Sequence, residues 1–225
     1  MPVRNAPLPE AGAERLVQHW SWRPDWTRER RSWWWYATFE SDPEVQGLAS
    51  EARSAIRADA PVDEVPARWL HLTLSEVGYA DTVPRRLAYE CARRAHHRLV
   101  DVPPIDLQVG PVATMPGAVV LPVSGAGLAD VHDGLVAAVR ETLPEQPEGR
   151  PFDPHVSVAY VARDCRPGDV LDDAGSDRCA PGRSRLTRVS LVEVTRDHGH
   201  YRWTPRCQVS LRAPSRRHLR AVAAG

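Results

Sequence analysis

Two short stretches carry the residue types that acid–base chemistry needs: His71-Leu-Thr-Leu74 and, far along the chain, His155-Val-Ser-Val158. Each reads histidine, apolar, hydroxyl, apolar. On a β-strand alternate side chains share a face, so His71 and Thr73 point one way and Leu72 and Leu74 the other. His155 and Ser157 repeat this against Val156 and Val158. Two such strands on opposite walls of a cleft would give one substrate a general base, a general acid and two hydroxyl donors. An imidazole with an ordinary pKa near ~6.5 can be neutral in one role and charged in the other. Phosphodiester cleavage uses that division: one side chain activates water or a 2′-hydroxyl, the other protonates the departing oxygen, and hydroxyls bind the non-bridging oxygens. The scheme asks for no metal and no cofactor.

The elements that must position these residues follow from the pattern of the chain. Ser32 to Phe39 is rich in β-forming aromatics and ends at Ser41-Asp42-Pro43, a helix start. Val45, Leu48, Ala49, Ala52 and Ile56 predict an amphipathic helix, and the first motif strand, Arg68 to Ser75, follows. Pro84 opens a second helix with Leu87, Cys91, Ala95 and Leu99 as its stripe. Ile105 to Val109 and Ala118 to Val123 read as a hairpin around Met115-Pro-Gly117. Leu128 to Leu143 is a third helix, the second motif strand comes next, and Pro167 to Pro181 reads as a loop with at most a short helix. Arg185 to Thr195 and Tyr201 to Leu211 are strands joined by the turn Arg196-Asp-His-Gly-His200. Helix, histidine strand and paired strands thus occur twice, which predicts an α+β protein of two pseudo-twofold lobes, two antiparallel sheets backed by helices with a central cleft.

Residues 1–31 form an arm without sustained periodicity, with a possible short helix from Glu10 to Trp20. Trp20, Trp22 and Trp26 favour padding of the core over ligand binding, with a lid as the alternative. The lobes occupy residues 32–212, and residues 213–225 are a basic tail expected to fray.

The 225 residues give one domain of ordinary upper size or two small lobes. Lys plus Arg equals Asp plus Glu, so the formal net charge is zero and no whole-molecule field would hold extended nucleic acid. The four cysteines, Cys91, Cys165, Cys179 and Cys207, form no C-x-x-C pair and suggest neither zinc nor a disulfide framework. No segment approaches the ~20 apolar residues of a membrane span, so a soluble, cytoplasmic protein without a membrane partner is expected.

The paired motifs resemble those of the two-histidine (2H) phosphoesterases, in particular bacterial proteins similar to the 2′-5′ RNA ligase and RNA 2′,3′-cyclic phosphodiesterase group. Arg68-Trp-Leu, Gly78, Pro151-Phe-Asp-Pro154 and Tyr201-Arg-Trp-Thr204 extend the resemblance, which covers roughly Ser32 to Leu211. It implies a bilobal pseudo-twofold fold, metal-independent chemistry, and His71, Thr73, His155 and Ser157 as catalytic residues. The implied partner is a small nucleotide or an RNA end, opened at a 2′,3′-cyclic phosphate or a 2′-5′ linkage, with ligation as the reverse. Some RNA-processing members carry a basic residue soon after the second motif. Ala159-Tyr160 stands there in this chain, which leaves room for a small cyclic nucleotide.

Trp69, Tyr160, Arg196 and Tyr201 are the substrate-binding candidates. Trp69 shares the parity of His71 and is either a base platform or a cleft wall. Tyr160 shares the parity of Val156 and Val158, which favours the core. Arg196 and Tyr201 flank a turn that either closes over a phosphate or is solvated. Trp33 and Trp35 share one face of their strand and Trp34 and Tyr36 the other. The competing function is a binding module that holds a nucleotide or RNA end without turnover. The oligomeric state is open.

Overall fold

The computed structural model describes residues 15–146, 151–171, 179–197 and 199–212. The tail 213–225, most of the loop after Asp169, the start of the Glu10 helix and His198 lie outside the described residues.

Strand β1 (Ser32–Thr38) is the aromatic run, and α1 (Pro43–Ser54) follows it. Asp42 caps α1 by accepting the Val45 amide at 3.1 Å, and Pro43 opens the first turn, where a missing N–H costs nothing. After β2 (Val62–Glu64), a 3₁₀ turn over Ala67–Trp69 delivers the chain to β3 (His71–Tyr79). Helix α2 (Arg85–Leu99) buries Ala88, Cys91, Ala92, Ala95 and Leu99. Next come β4 (Ile105–Val109), β5 (Ala113–Met115), β6 (Ala118–Ser124), α3 (Leu128–Thr142) and β7 (His155–Val161). A 3₁₀ turn, Pro167–Asp169, precedes β8 (Gly182–Leu186), β9 (Arg188–Asp197) and β10 (His200–Ser210). Gly199, at φ +84°, makes the left-handed step of the last hairpin.

The strands run in the order β10-β9-β1-β3-β7-β6-β4-β8, with β2 added to β7 and β5 to β6. All pairings are antiparallel. The two expected sheets are halves of one path of strands, joined at the single pair Leu72↔Val156. The halves are not the two halves of the sequence. In the first unit the order is β1-α1-β3-α2-β4, and in the second β6-α3-β7 and then β9. The last strand of each unit pairs with the first strand of the other, β4 with β6 and β9 with β1. Exchange of these strands makes the repeat one indivisible domain.

Helices α2 and α3 pack together and against β10 and β3, while α1 packs on β7 and β8. The first motif strand starts later than its sequence pattern suggests and runs four residues past Ser75, because Trp69 lies in the 3₁₀ turn. The strand expected from Arg185 is split, with Leu186 ending β8 and Arg188 opening β9. No helix among the described residues is long and apolar enough to cross a membrane.

Candidate active site

The pair Leu72↔Val156 places both fully buried apolar residues on one face of the sheet. Alternation then puts His71, Thr73, His155 and Ser157 together on the other, the site face. His71 pairs with Thr38 at the end of β1, and His155 with Pro122 toward the end of β6. Both histidines therefore open their strands at equivalent points of the pseudo-twofold.

Each ring is held the same way. Nδ1 of His71 donates to the carbonyl of Trp69 at 2.8 Å, and Nδ1 of His155 to the carbonyl of Asp153 at 2.7 Å. A carbonyl only accepts, so the proton sits on Nδ1 and Nε2 of each neutral ring is left as the base. Aromatic contacts brace both supporting turns: Trp69 meets Trp203 edge-on at 5.3 Å, and Phe152 stacks on His132 of α3 at 4.2 Å.

The two environments differ. His71 is buried, and Tyr36 stacks on its ring at 4.0 Å and 16°. Burial, opposed by the bond to Trp69 and reinforced by His155, pushes its pKa down to about 4. His155 is only half buried. Burial lowers its pKa too, while the Asp153 carbonyl bond and carboxylate work the other way. Protonation thus favours His155 over His71.

The hydroxyls sit beside phenols. Tyr36 pairs with Thr73 in the sheet and its phenol interacts with the Thr73 side chain, while Tyr160 interacts with that of Ser157. Burial raises the pKa of Tyr36 and Tyr160 well above the ordinary phenol value and pushes Tyr201 up to about 12. All three remain neutral hydrogen-bond donors near pH 7.

Tyr160 corrects the parity reading. Val120 pairs with Ser157 but Val119 with Ala159, so Val158 is an extra residue in β7. This bulge shifts the phase and brings Tyr160 to the site face, where it lies 5.4 Å from Tyr201. Two similar irregularities leave Leu74 and Val77 extra in β3 and align Thr73, Glu76 and Tyr79 with Tyr36 and Trp34. Of the four aromatics in β1, Trp34 and Tyr36 belong to the site face. Trp35 is fully buried behind it, and the Trp33 indole donates to the Val83 carbonyl at 3.0 Å.

Tyr201 lies 6.5 Å from the His71 ring, so it belongs to the site cluster. Trp69 is half buried with the Arg68 guanidinium 5.0 Å from its ring. Arg196 departs from expectation. It is buried, and its guanidinium donates to the carbonyls of Trp20, Arg23 and Trp26 at 2.7–2.9 Å. Its donors hold the N-terminal segment instead of facing a phosphate.

That segment pads the core, as its tryptophans led us to expect, but its polar anchors were not foreseen. Within residues 15–31, Leu16, Arg23 and Trp26 are buried. Arg23 is buried and makes a two-pronged pair with Glu76 at 2.6 and 2.5 Å. Trp26, also buried, stacks on Trp34 at 5.8 Å, and His19 bonds the Tyr201 hydroxyl at 3.0 Å and lies 4.2 Å from Tyr160. The available signal was the three tryptophans of this stretch, which need aromatic partners. No group of three or more His, Cys, Asp or Glu side chains arranged to hold a metal ion occurs among the described residues.

The model of the 2′-5′ RNA ligase superfamily matches residues 41–198, a span that includes both motifs. Among solved structures, Escherichia coli LigT in its apo form is similar at a TM-score of 0.61 and 16% identity, over 82% of this chain and 99% of that one. TT0787 of Thermus thermophilus is similar at a TM-score of 0.62 and 22% identity, over 82% and 98%. No curated protein matches the chain.

Proposed function

This chain belongs to the 2′-5′ RNA ligase superfamily, and from that premise we propose that it is a phosphodiesterase that opens a 2′,3′-cyclic phosphate, or cleaves a 2′-5′ linkage, on a small nucleotide or RNA end. The observation that carries the reading is the matched pair of imidazoles, each with Nδ1 tied to a carbonyl two residues upstream and Nε2 left for chemistry. Their supports are main-chain atoms, which set ring orientation without adding charge.

His71, the less readily protonated ring, takes a proton from water as the water oxygen attacks phosphorus. The P–O bond to one ribose oxygen breaks, and His155 Nε2–H protonates that oxygen as it leaves. Thr73 and Ser157 donate to the non-bridging oxygens as negative charge grows there. A bound phosphate anion raises the pKa of both rings, which supplies the proton His155 needs. With a 5′-hydroxyl in place of water, the same step run on the cyclic ester forms a 2′-5′ bond. These four side chains complete the cycle without calling on a cofactor.

Escherichia coli LigT has been crystallised with 3′-AMP, ATP and NADP+, which supports a small nucleotide ligand here. Incubation with a panel of 2′,3′-cyclic mononucleotides and 2′-5′ dinucleotides tests the proposal. Monoester product is expected. Saturable binding without product across the panel would favour a nucleotide-binding module on the same fold.

A further inference from the structure

The packed segment 15–31 crosses the site face beside the histidines, and its anchors show where it runs. It starts at Leu16, whose amide and carbonyl both pair with Cys165 just past β7, at 2.8 and 3.1 Å. It then passes over Tyr160 and Tyr201 with His19 and Trp20, the latter's ring 5.3 Å from each. From there Arg23 reaches Glu76 and Trp26 covers Trp34. Arg30 closes the crossing on Asp81 at 2.8 Å. The part of the site face carrying Trp34, Glu76 and Tyr201 is thereby covered by protein, held by the pair of buried Arg23 with part-buried Glu76, three carbonyl bonds to Arg196 and stacked rings. The same segment also rests on the other half, where the Val17 amide donates to the Pro116 carbonyl and the Gln18 side chain to the Ala162 carbonyl, so it bounds the site face across both halves.

We propose that this strap sets substrate length. Resting on the phosphodiesterase reading above, the inference is that a mononucleotide-sized ester reaches the histidines, while a polynucleotide carrying the same ester at its end is excluded by the strap. The strap is a fixed wall, because its anchors include a buried Arg23 that is pulled off the Glu76 carboxylate if the segment lifts. Exclusion by a wall is discrimination against the wrong ligand, independent of any added affinity for the right one.

The test compares kcat/KM for 2′,3′-cyclic mononucleotides with that for a short RNA oligonucleotide ending in a 2′,3′-cyclic phosphate. Wild type should prefer the mononucleotide by about 100-fold or more. Leu16→Cys adds a lock: the doubly hydrogen-bonded antiparallel pair with Cys165 has the spacing a disulfide needs. Oxidised and reduced forms should turn over the mononucleotide equally. Trp20→Ala combined with Arg196→Gln loosens the strap and should raise oligonucleotide turnover relative to mononucleotide turnover by about tenfold. If that variant fails to fold, the wild-type ratio and the locked form still decide. Equal turnover of both esters by wild type overturns the length rule alone, as does loss of mononucleotide turnover on oxidation of the Leu16→Cys protein. Absence of turnover on every cyclic ester by wild type overturns the phosphodiesterase reading, and the length rule with it.

Discussion

Leu72 and Val156 face each other as the pair that joins β3 to β7, each one position after a motif histidine. Both are fully buried. The relative placement of the two imidazoles therefore runs through this strand pair, whose side chains are buried on the opposite face of the sheet. Leu72→Ala should cost about 2–5 kcal/mol, the range for a buried leucine emptied to alanine. It should also lower kcat at temperatures where the variant stays folded. Urea unfolding and steady-state rates measure the two effects, and a destabilised variant with wild-type kcat contradicts this link.

The hydroxyls should matter through the transition state. Thr73→Val and Ser157→Ala each remove a donor aimed at growing charge, and each should lower kcat by about 10²-fold with little change in KM. A rise in KM at constant kcat would show that the hydroxyls only hold the ground state.

The pH dependence follows from two lowered imidazole values. His155 must carry a proton to act as acid, and its pKa in the free protein lies below the ordinary histidine value because burial outweighs Asp153. The optimum of kcat/KM should therefore fall on the acid side of about 6.5, with a decline of about tenfold per pH unit above it. Around these rings, Tyr36 and Tyr201 stay neutral, and Asp153 supplies the adjacent negative charge. An optimum well above neutrality would reverse the roles assigned here.

Stability should shift with pH in the opposite sense. His71 has a folded pKa of about 4 against about 6.5 unfolded. Above about 6.5 both states are neutral and its contribution is intact. As pH falls from about 6.5 to about 4 the unfolded chain takes up a proton that the native ring refuses, so stability is lost, by about 3 kcal/mol in full. Unfolding free energies across that window should show a shallower slope for His71→Asn than for wild type.

The α+β class, the three helices and both motif strands were legible because apolar periodicity and Pro or Asp stops report local structure directly. Strand exchange between the units was not, since periodicity says nothing about which strand a strand pairs with. Tyr160 is buried as expected but on the other face, because parity assumes an unbroken pleat and the bulge at Val158 breaks it. The same limit hid Glu76: the extra residue Leu74 in β3 carries it to the site face beyond the point where alternation stops being readable. Arg196 looked available because a turn residue in sequence reveals nothing of the carbonyls that fold back onto it. The pairing of the His71 and His155 strands was legible because duplication of a whole pattern survives such irregularities.

The central claim is that Nε2 of His71 and Nε2 of His155 perform one reaction between them. Its most direct test is turnover of a 2′,3′-cyclic mononucleotide in the presence of EDTA by wild type, His71→Ala and His155→Ala, with folding of each verified by circular dichroism. Wild type should be active, and each variant should lose at least about 10²-fold in kcat, as expected for removal of a general acid or base. Either folded variant retaining wild-type turnover contradicts the account.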